Sequence, residues 1–204
     1  MAENHQENHI YFFSKKVLLL SLLFLALNVL LYGLIIFQQK IINFNEVSPK
    51  IIFSEKNAVL IKNPFDSKYL AAKSDQTILM GSFIKTDDKS YAEIMLGGNV
   101  VRMDNNTEVQ LIENNFKSRN LPRFVLKLDS GGVWVNAFDP IEVLTPQSKT
   151  HFVHTVGAVI YSDPLNRIFS VTGNIDMTFY DDTGDVLAKF VVPLKNQITF
   201  TDSQ

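Results

Sequence analysis

The sequence predicts an all-β domain preceded by one transmembrane helix, and three observations carry that prediction. Residues 17–37 (VLLLSLLFLALNVLLYGLIIF) form an apolar run with no charge and no proline. Beyond about residue 45 the hydrophobic pattern alternates with period two, as half-buried strands do. Turn residues then punctuate the alternating segments at roughly the 8–12-residue spacing of sandwiches and barrels. The expected architecture is a sandwich, or a short β-solenoid or jelly-roll-like domain, carried on a single span.

The span comes first. At ~1.5 Å per helical residue it measures roughly 30 Å, the thickness of a bilayer's hydrocarbon core. A cleaved signal peptide has a shorter apolar region, ~7–15 residues, and a small-x-small cleavage site. This run instead ends in Ile35-Ile36-Phe37-Gln38-Gln39-Lys40, and the chain has no cysteine through which a lipid could be attached. An uncleaved anchor is the reading. Lys15 and Lys16 abut the run on its N-terminal side and only Lys40 lies close on the other, a bias that favours a cytoplasmic N-terminus. Tyr11, Phe12 and Phe13 then fall at the cytoplasmic headgroup level, and the domain lies outside the cytoplasm. Asn28, inside the span, could hydrogen-bond across a helix pair and so build a homodimer through the membrane. The division expected is a cytoplasmic tail at 1–16, the transmembrane helix at 17–37, a stalk or helical extension at 38–49, and an extracytoplasmic β domain at 50–204.

About 165 residues follow the span, enough for one domain with a real core. A net charge of −2 offers no basic surface for nucleic acid. No disulfide can staple the domain. Its stability rests on burial, for which sixteen phenylalanines, six tyrosines and Trp134 supply large apolar areas.

The strands follow in order. Tyr91-Ala92-Glu93-Ile94-Met95-Leu96 and Asn99-Val100-Val101-Arg102-Met103 flank Gly97-Gly98, a two-residue hairpin signal. Thr107-Glu108-Val109-Gln110-Leu111-Ile112 alternates cleanly. Phe124-Val125-Leu126-Lys127-Leu128 and Val133-Trp134-Val135-Asn136-Ala137 do the same, and the pair Gly131-Gly132 between them predicts a turn. Further short strands are expected at 141–144, 151–154, 158–161, 168–171, 175–180, 186–192 and 197–201. Residues 66–73 are the one helical candidate outside the membrane. Pro64 and Pro164 fall in loops and Pro193 follows a strand, as a missing N–H requires.

Several motifs invite a reading as an active site. Asp129-Ser130-Gly131-Gly132 echoes the nucleophile loop of chymotrypsin-like proteases, but the only histidines before it are His5 and His9, across the membrane. Asp182-Thr183-Gly184 echoes the aspartic-protease loop, which needs two carboxylates sharing a proton, and here one such motif sits between Asp181 and Asp185 in a polar setting. Asp181, Asp182 and Asp185 could also supply carboxylates to calcium, without EF-hand spacing. His151 and His154, three apart in a strand, point to opposite faces and cannot share one zinc. Asn105-Asn106-Thr107 matches a glycosylation sequon. No catalytic, cofactor-binding or metal residue is assigned, and the expectation is a protein that is not an enzyme.

The order of the strands carries a family resemblance. Gly81-Ser82-Phe83-Ile84-Lys85-Thr86, the strand 91–96, the strand 99–103 and Asn105-Asn106-Thr107-Glu108-Val109 together resemble the start of a FecR-like domain. The leucine-rich strand, glycine pair and Val133-Trp134-Val135 resemble its next signature, and Glu142-Val143-Leu144-Thr145-Pro146 its "V-x-T-P". The resemblance covers about residues 55–180. It implies a non-enzymatic extracytoplasmic β domain, while FecR-like sigma regulators carry a far longer cytoplasmic segment than residues 1–16. The signatures are turn formers and core residues, which suits a domain that recognises a partner.

The partner expected is an envelope protein or polymer, docked by strand addition or by aromatics such as Phe138, Phe152 and Tyr161. The alternative is lipid handling by a single-anchor jelly roll resembling LptC. An open interior groove favours lipid; a filled core favours docking.

Overall fold

The computed structural model describes residues 15, 17–36, 48–54, 58–115, 123–181 and 183–201. It divides into two compact units, residues 1–46 and 47–204. In the first, Val17–Ile36 is a helix (α1) long and apolar enough to cross a membrane. Its polar side chains turn back onto their own backbone: Ser21 Oγ donates to the Leu18 carbonyl at 2.8 Å and Asn28 Nδ2 to the Phe24 carbonyl at 2.7 Å. Phe37 and residues 38–47 of the expected stalk lie outside the described residues.

Among the described residues the second unit holds sixteen strands. In chain order the first eight are β1 (Lys50–Ser54), β2 (Val59–Lys62), β3 (Leu70–Ala71), β4 (Gln76–Thr77), β5 (Phe83–Thr86), β6 (Ala92–Leu96), β7 (Asn99–Met103) and β8 (Glu108–Asn115). The 15-residue β9 (Arg123–Ala137) follows. Then come β10 (Ile141–Leu144), β11 (Ser148–Phe152), β12 (Thr155–Ser162), β13 (Leu165–Thr172), β14 (Ile175–Tyr180), β15 (Val186–Val192) and β16 (Gln197–Thr201). All belong to one mixed sheet that does not close into a barrel.

Strand β9 divides that sheet into two leaves. Its C-terminal half lies between β7 and β12 in a leaf ordered β4-β1-β6-β7-β9-β12-β13-β16. Its N-terminal half lies between β8 and β10 in a leaf ordered β3-β2-β5-β8-β9-β10-β11-β14-β15. The β9–β10 pairing is parallel and the other pairings are antiparallel. Inward residues of both leaves join one core, with Ile51, Ile94 and Val101 from the first and Ile84, Leu126 and Val143 from the second fully buried. This is the all-β class the period-two pattern predicts.

The glycine pair corrects one expectation. Gly131-Gly132 is not a turn; the chain runs through it as one strand that bends from one leaf into the other. Gly131 adopts φ +90°, and a Cβ there would overlap Thr107. The buried Thr107 hydroxyl accepts the Gly132 N–H at 2.9 Å, and Asn106 just before it sits in the left-handed region at φ +49°. A side chain from the turn just before β8 therefore fixes the corner. No local signal distinguishes that from a hairpin.

Two smaller corrections follow. Residues 66–73 hold turns and β3 rather than a helix. The Asp66 N–H caps back to the Asn63 carbonyl at 3.0 Å, and Asn63 Nδ2 donates to Asp66 Oδ2 at 2.7 Å, closing a turn that delivers Leu70 to β2. The strand expected at 151–154 stops at Phe152, because His154 takes φ +50° in the turn to β12. The Gly97-Gly98 hairpin and the bounds of β10, β14, β15 and β16 agree with the sequence reading. Thr145, in the "V-x-T-P" signature, closes the β10–β11 turn: its Oγ1 lies 2.8 Å from Ser148 Oγ and accepts the Ser148 N–H at 3.1 Å.

Candidate functional site

The motif residues are spread over the domain. Ser130 is exposed at the β9 corner opposite Glu108, while His151 lies within β11 and His154 in the turn after it. Asp129 forms an ion pair with Lys127 at 2.7 Å. His151 Nδ1 lies 3.5 Å from Glu142 Oε1, and Lys149 Nζ is 3.0 Å from Glu142 Oε2, on the outer surface of the second leaf. His154 meets the ring of Phe138 edge-on at 5.7 Å. Asp181 is the brace of the β14–β15 loop: its Oδ1 accepts from the Thr183 hydroxyl at 2.6 Å and from the Asp185 N–H at 2.8 Å. These bonds, that of Thr183 first, hold the Asp181 carboxyl below its ordinary range. Asp182 lies outside the described residues.

Large side chains along both leaves, among them Phe124, Phe152, Leu96, Leu111 and Ile141, are fully buried and belong to one core cluster. Of the aromatics considered from the sequence, Phe138 is exposed, while Phe152 and Tyr161 belong to the core.

Two surfaces remain. The first is the free edge of β15. Among the described residues the sheet ends at four strands, two of them blunted by brevity and a third polar on its solvent face. β3 and β4 have two residues each, and β16 presents Gln197, Thr199 and Thr201 to solvent. β15 differs: seven residues long, it pairs among the described residues only with β14 and exposes apolar side chains on both faces. Val191 stands 53% exposed on its outer side, opposite Asp176, and Phe190 stands 48% exposed on the side of Met177. Phe179 and Phe200, from β14 and β16, pack in an edge-to-face contact, and Phe190 adds a second one onto Phe179. Thus one leaf offers a row of unpaired backbone donors and acceptors flanked by apolar side chains.

The second is the outer surface of the first leaf. The registers align Phe53, Glu93, Arg102, Trp134, Ala158 and Phe169 in one row across six strands. Phe53 stacks on Tyr91 at 4.8 Å with rings 16° apart, and the Arg102 guanidinium lies over the other ring of that pair, Tyr91, at 4.5 Å. Arg102 Nε is 4.0 Å from Asp104 Oδ1, and Trp134 Nε1 donates to Asp104 Oδ2 at 3.0 Å. Arg102, Asp104 and Trp134 line a shallow depression of about 420 Å³. Sequence reading missed this grouping. The one signal was the phase of Val133-Trp134-Val135, which turns the tryptophan away from a core bounded by its two valines.

A polar cluster sits on the other leaf. Tyr69 Oη donates to Glu108 Oε1 at 2.7 Å, and Lys85 Nζ lies 3.2 Å from Glu108 Oε2. Burial first, then the bond to Glu108, pushes the Tyr69 phenol up to about 12. Burial alone would raise the Glu108 carboxyl, but Tyr69 and Lys85 outweigh it and hold the group below its ordinary value.

No family model matches the chain, and no curated protein matches it significantly. Two crystal structures of a candidate anti-sigma factor from Parabacteroides distasonis are similar to it, each 17% identical with a TM-score of 0.48. Each comparison covers 59% of this chain and 55% of the other, so the likeness spans about half the length of those proteins.

Proposed function

We propose that the chain is a membrane-anchored, non-enzymatic docking domain of FecR-like type, displayed outside the cytoplasm, where it binds an envelope protein by adding an extended segment of that partner to β15. The observation that carries this is the contrast among the sheet's edges. Three are short or polar, and the fourth is long, unpaired and apolar on both faces. A row of free main-chain groups gives affinity to any extended segment, and apolar side chains on alternate positions select its sequence. The apolar helix α1 supports the anchor, the flanking Lys15 and Lys16 support the orientation, and the filled core favours docking over lipid transfer.

The test is site-specific photo-crosslinking from Leu187 and from Lys189 in cells. The reading expects one discrete adduct from both positions, lost when Val191→Lys charges the edge. Adducts only between copies of this chain, or an adduct that survives Val191→Lys unchanged, would contradict it.

A further inference from the structure

The depression at Trp134 has the chemistry of a sugar subsite. Three constraints act together there. The indole N–H is already committed to Asp104, so the ring is fixed and its apolar surface, 40% of the residue exposed, is what a ligand meets. Beside it, Arg102 and Asp104 set a cationic donor and an anionic acceptor side by side, each about half to one-third exposed. Asp104 on one side and Glu93, opposite Arg102 in register, on the other leave the site without excess positive charge, so it does not favour an anion. The Arg102 plane is held by Tyr91, which is held in turn by Phe53, so the donors are positioned before any ligand arrives.

The floor beneath is prepared as well. Ala158 lies opposite Trp134 in register and so points to the same outer surface, yet it is fully buried. Phe169 is its register partner on the other side, so Ala158 sits between two aromatic positions of the row. Next along β9, Gly132 shares this outward phase, and a Cβ there would stand 3.3 Å from Asp104 Oδ2 and 3.4 Å from Ile160 Cγ1. The missing side chain leaves Asp104 its path to the indole. β7, β9 and β12 are paired on both sides, so no strand can be added here and recognition falls to side chains.

A pyranose ring matches this set. It presents a flat C–H face to an aromatic ring, and around its rim hydroxyls that both donate and accept. An extended peptide would instead need the free backbone that this part of the sheet lacks. We infer that Trp134, Arg102 and Asp104 form a binding subsite for a neutral pyranose of a glycan chain. The subsite stands on a different surface from β15 and does not depend on strand addition.

Trp134 is the one tryptophan of the chain and reports directly on the site. The full chain is placed in lipid nanodiscs, since glycoside detergents would compete, and titrated with cellohexaose and with chitohexaose. The inference expects a saturable change in indole emission with at least one of them. Binding should weaken by about tenfold or more in Arg102→Met and in Asp104→Asn, both of which keep Trp134 as reporter; about tenfold corresponds to ~1.4 kcal/mol. Calorimetry on Trp134→Leu, expected to show no binding, covers the variant without a fluorophore. Silence up to millimolar glycan, wild-type affinity in Arg102→Met, or a response to hexaproline in place of the sugars would overturn it.

Discussion

The corner of β9 rests on two residues that meet across the sheet. Gly131 holds φ +90° and touches Thr107 closely enough to leave no room for a methyl group. Gly131→Ala therefore combines backbone strain with overpacking and should cost about 2–5 kcal/mol. Thr107→Val keeps the shape but leaves the buried Gly132 N–H without an acceptor, at a cost of about 1–3 kcal/mol. Equilibrium urea unfolding of both variants measures these losses; a wild-type midpoint for Gly131→Ala would refute this account of the corner. A second residue-scale prediction concerns Tyr69 and Glu108. The Tyr69 phenol is raised from 10.0 to about 12, so its contribution to stability is complete below pH 10 and disappears as pH rises through about 12. The Glu108 carboxyl is lowered from 4.5, so its contribution is complete above pH 4.5 and fades as pH falls through the depressed value. Tyrosinate absorbance should show a late-titrating component that is lost in Tyr69→Phe. In Glu108→Gln it should move earlier yet stay above its ordinary value, because burial is the largest cause of the shift.

Among the elements, β15 is the one whose sequence conflicts with its position. An edge strand gains from charge, and here Lys189 is the one charged residue in seven. Val191→Lys should leave the unfolding midpoint within about 0.5 kcal/mol of wild type, since the residue is exposed. The same change should reduce capture of the docked partner and any self-association of the full chain, read by analytical ultracentrifugation in nanodiscs. Equal self-association in the variant would show that the edge is not what neighbours find. The bounds of these strands were legible from sequence alone, because clear turns separate β14, β15 and β16, Asp181 to Asp185 on one side and Pro193 to Asn196 on the other, but which of them is an edge follows only from the pairing. β9 was not legible as one strand, because Gly131-Gly132 satisfies every local rule for a turn. What overrides those rules is long-range: Thr107 packed into the bend, and different partner strands on each half. The Trp134 depression was hidden for the same reason. The phase of β9 shows that the tryptophan faces outward, but only the β7–β9 register brings Arg102 and Asp104 beside it.

At the scale of the whole molecule, an apolar helix and a filled β domain divide the labour. The helix has the length and composition to cross a bilayer, and the domain stands on burial alone, without a cysteine anywhere in the chain. Docking outside the cytoplasm requires both the anchor and its orientation, and the missing cysteines make that requirement easy to examine. Ser67 is exposed in the turn before β3, so Ser67→Cys introduces a single reactive thiol on the domain. Intact spheroplasts carrying this variant are treated with a membrane-impermeant maleimide. The account predicts full labelling before lysis, with the labelled chain recovered in the membrane fraction. Labelling that appears only after the membrane is opened, or a labelled chain found free of the membrane, would contradict it.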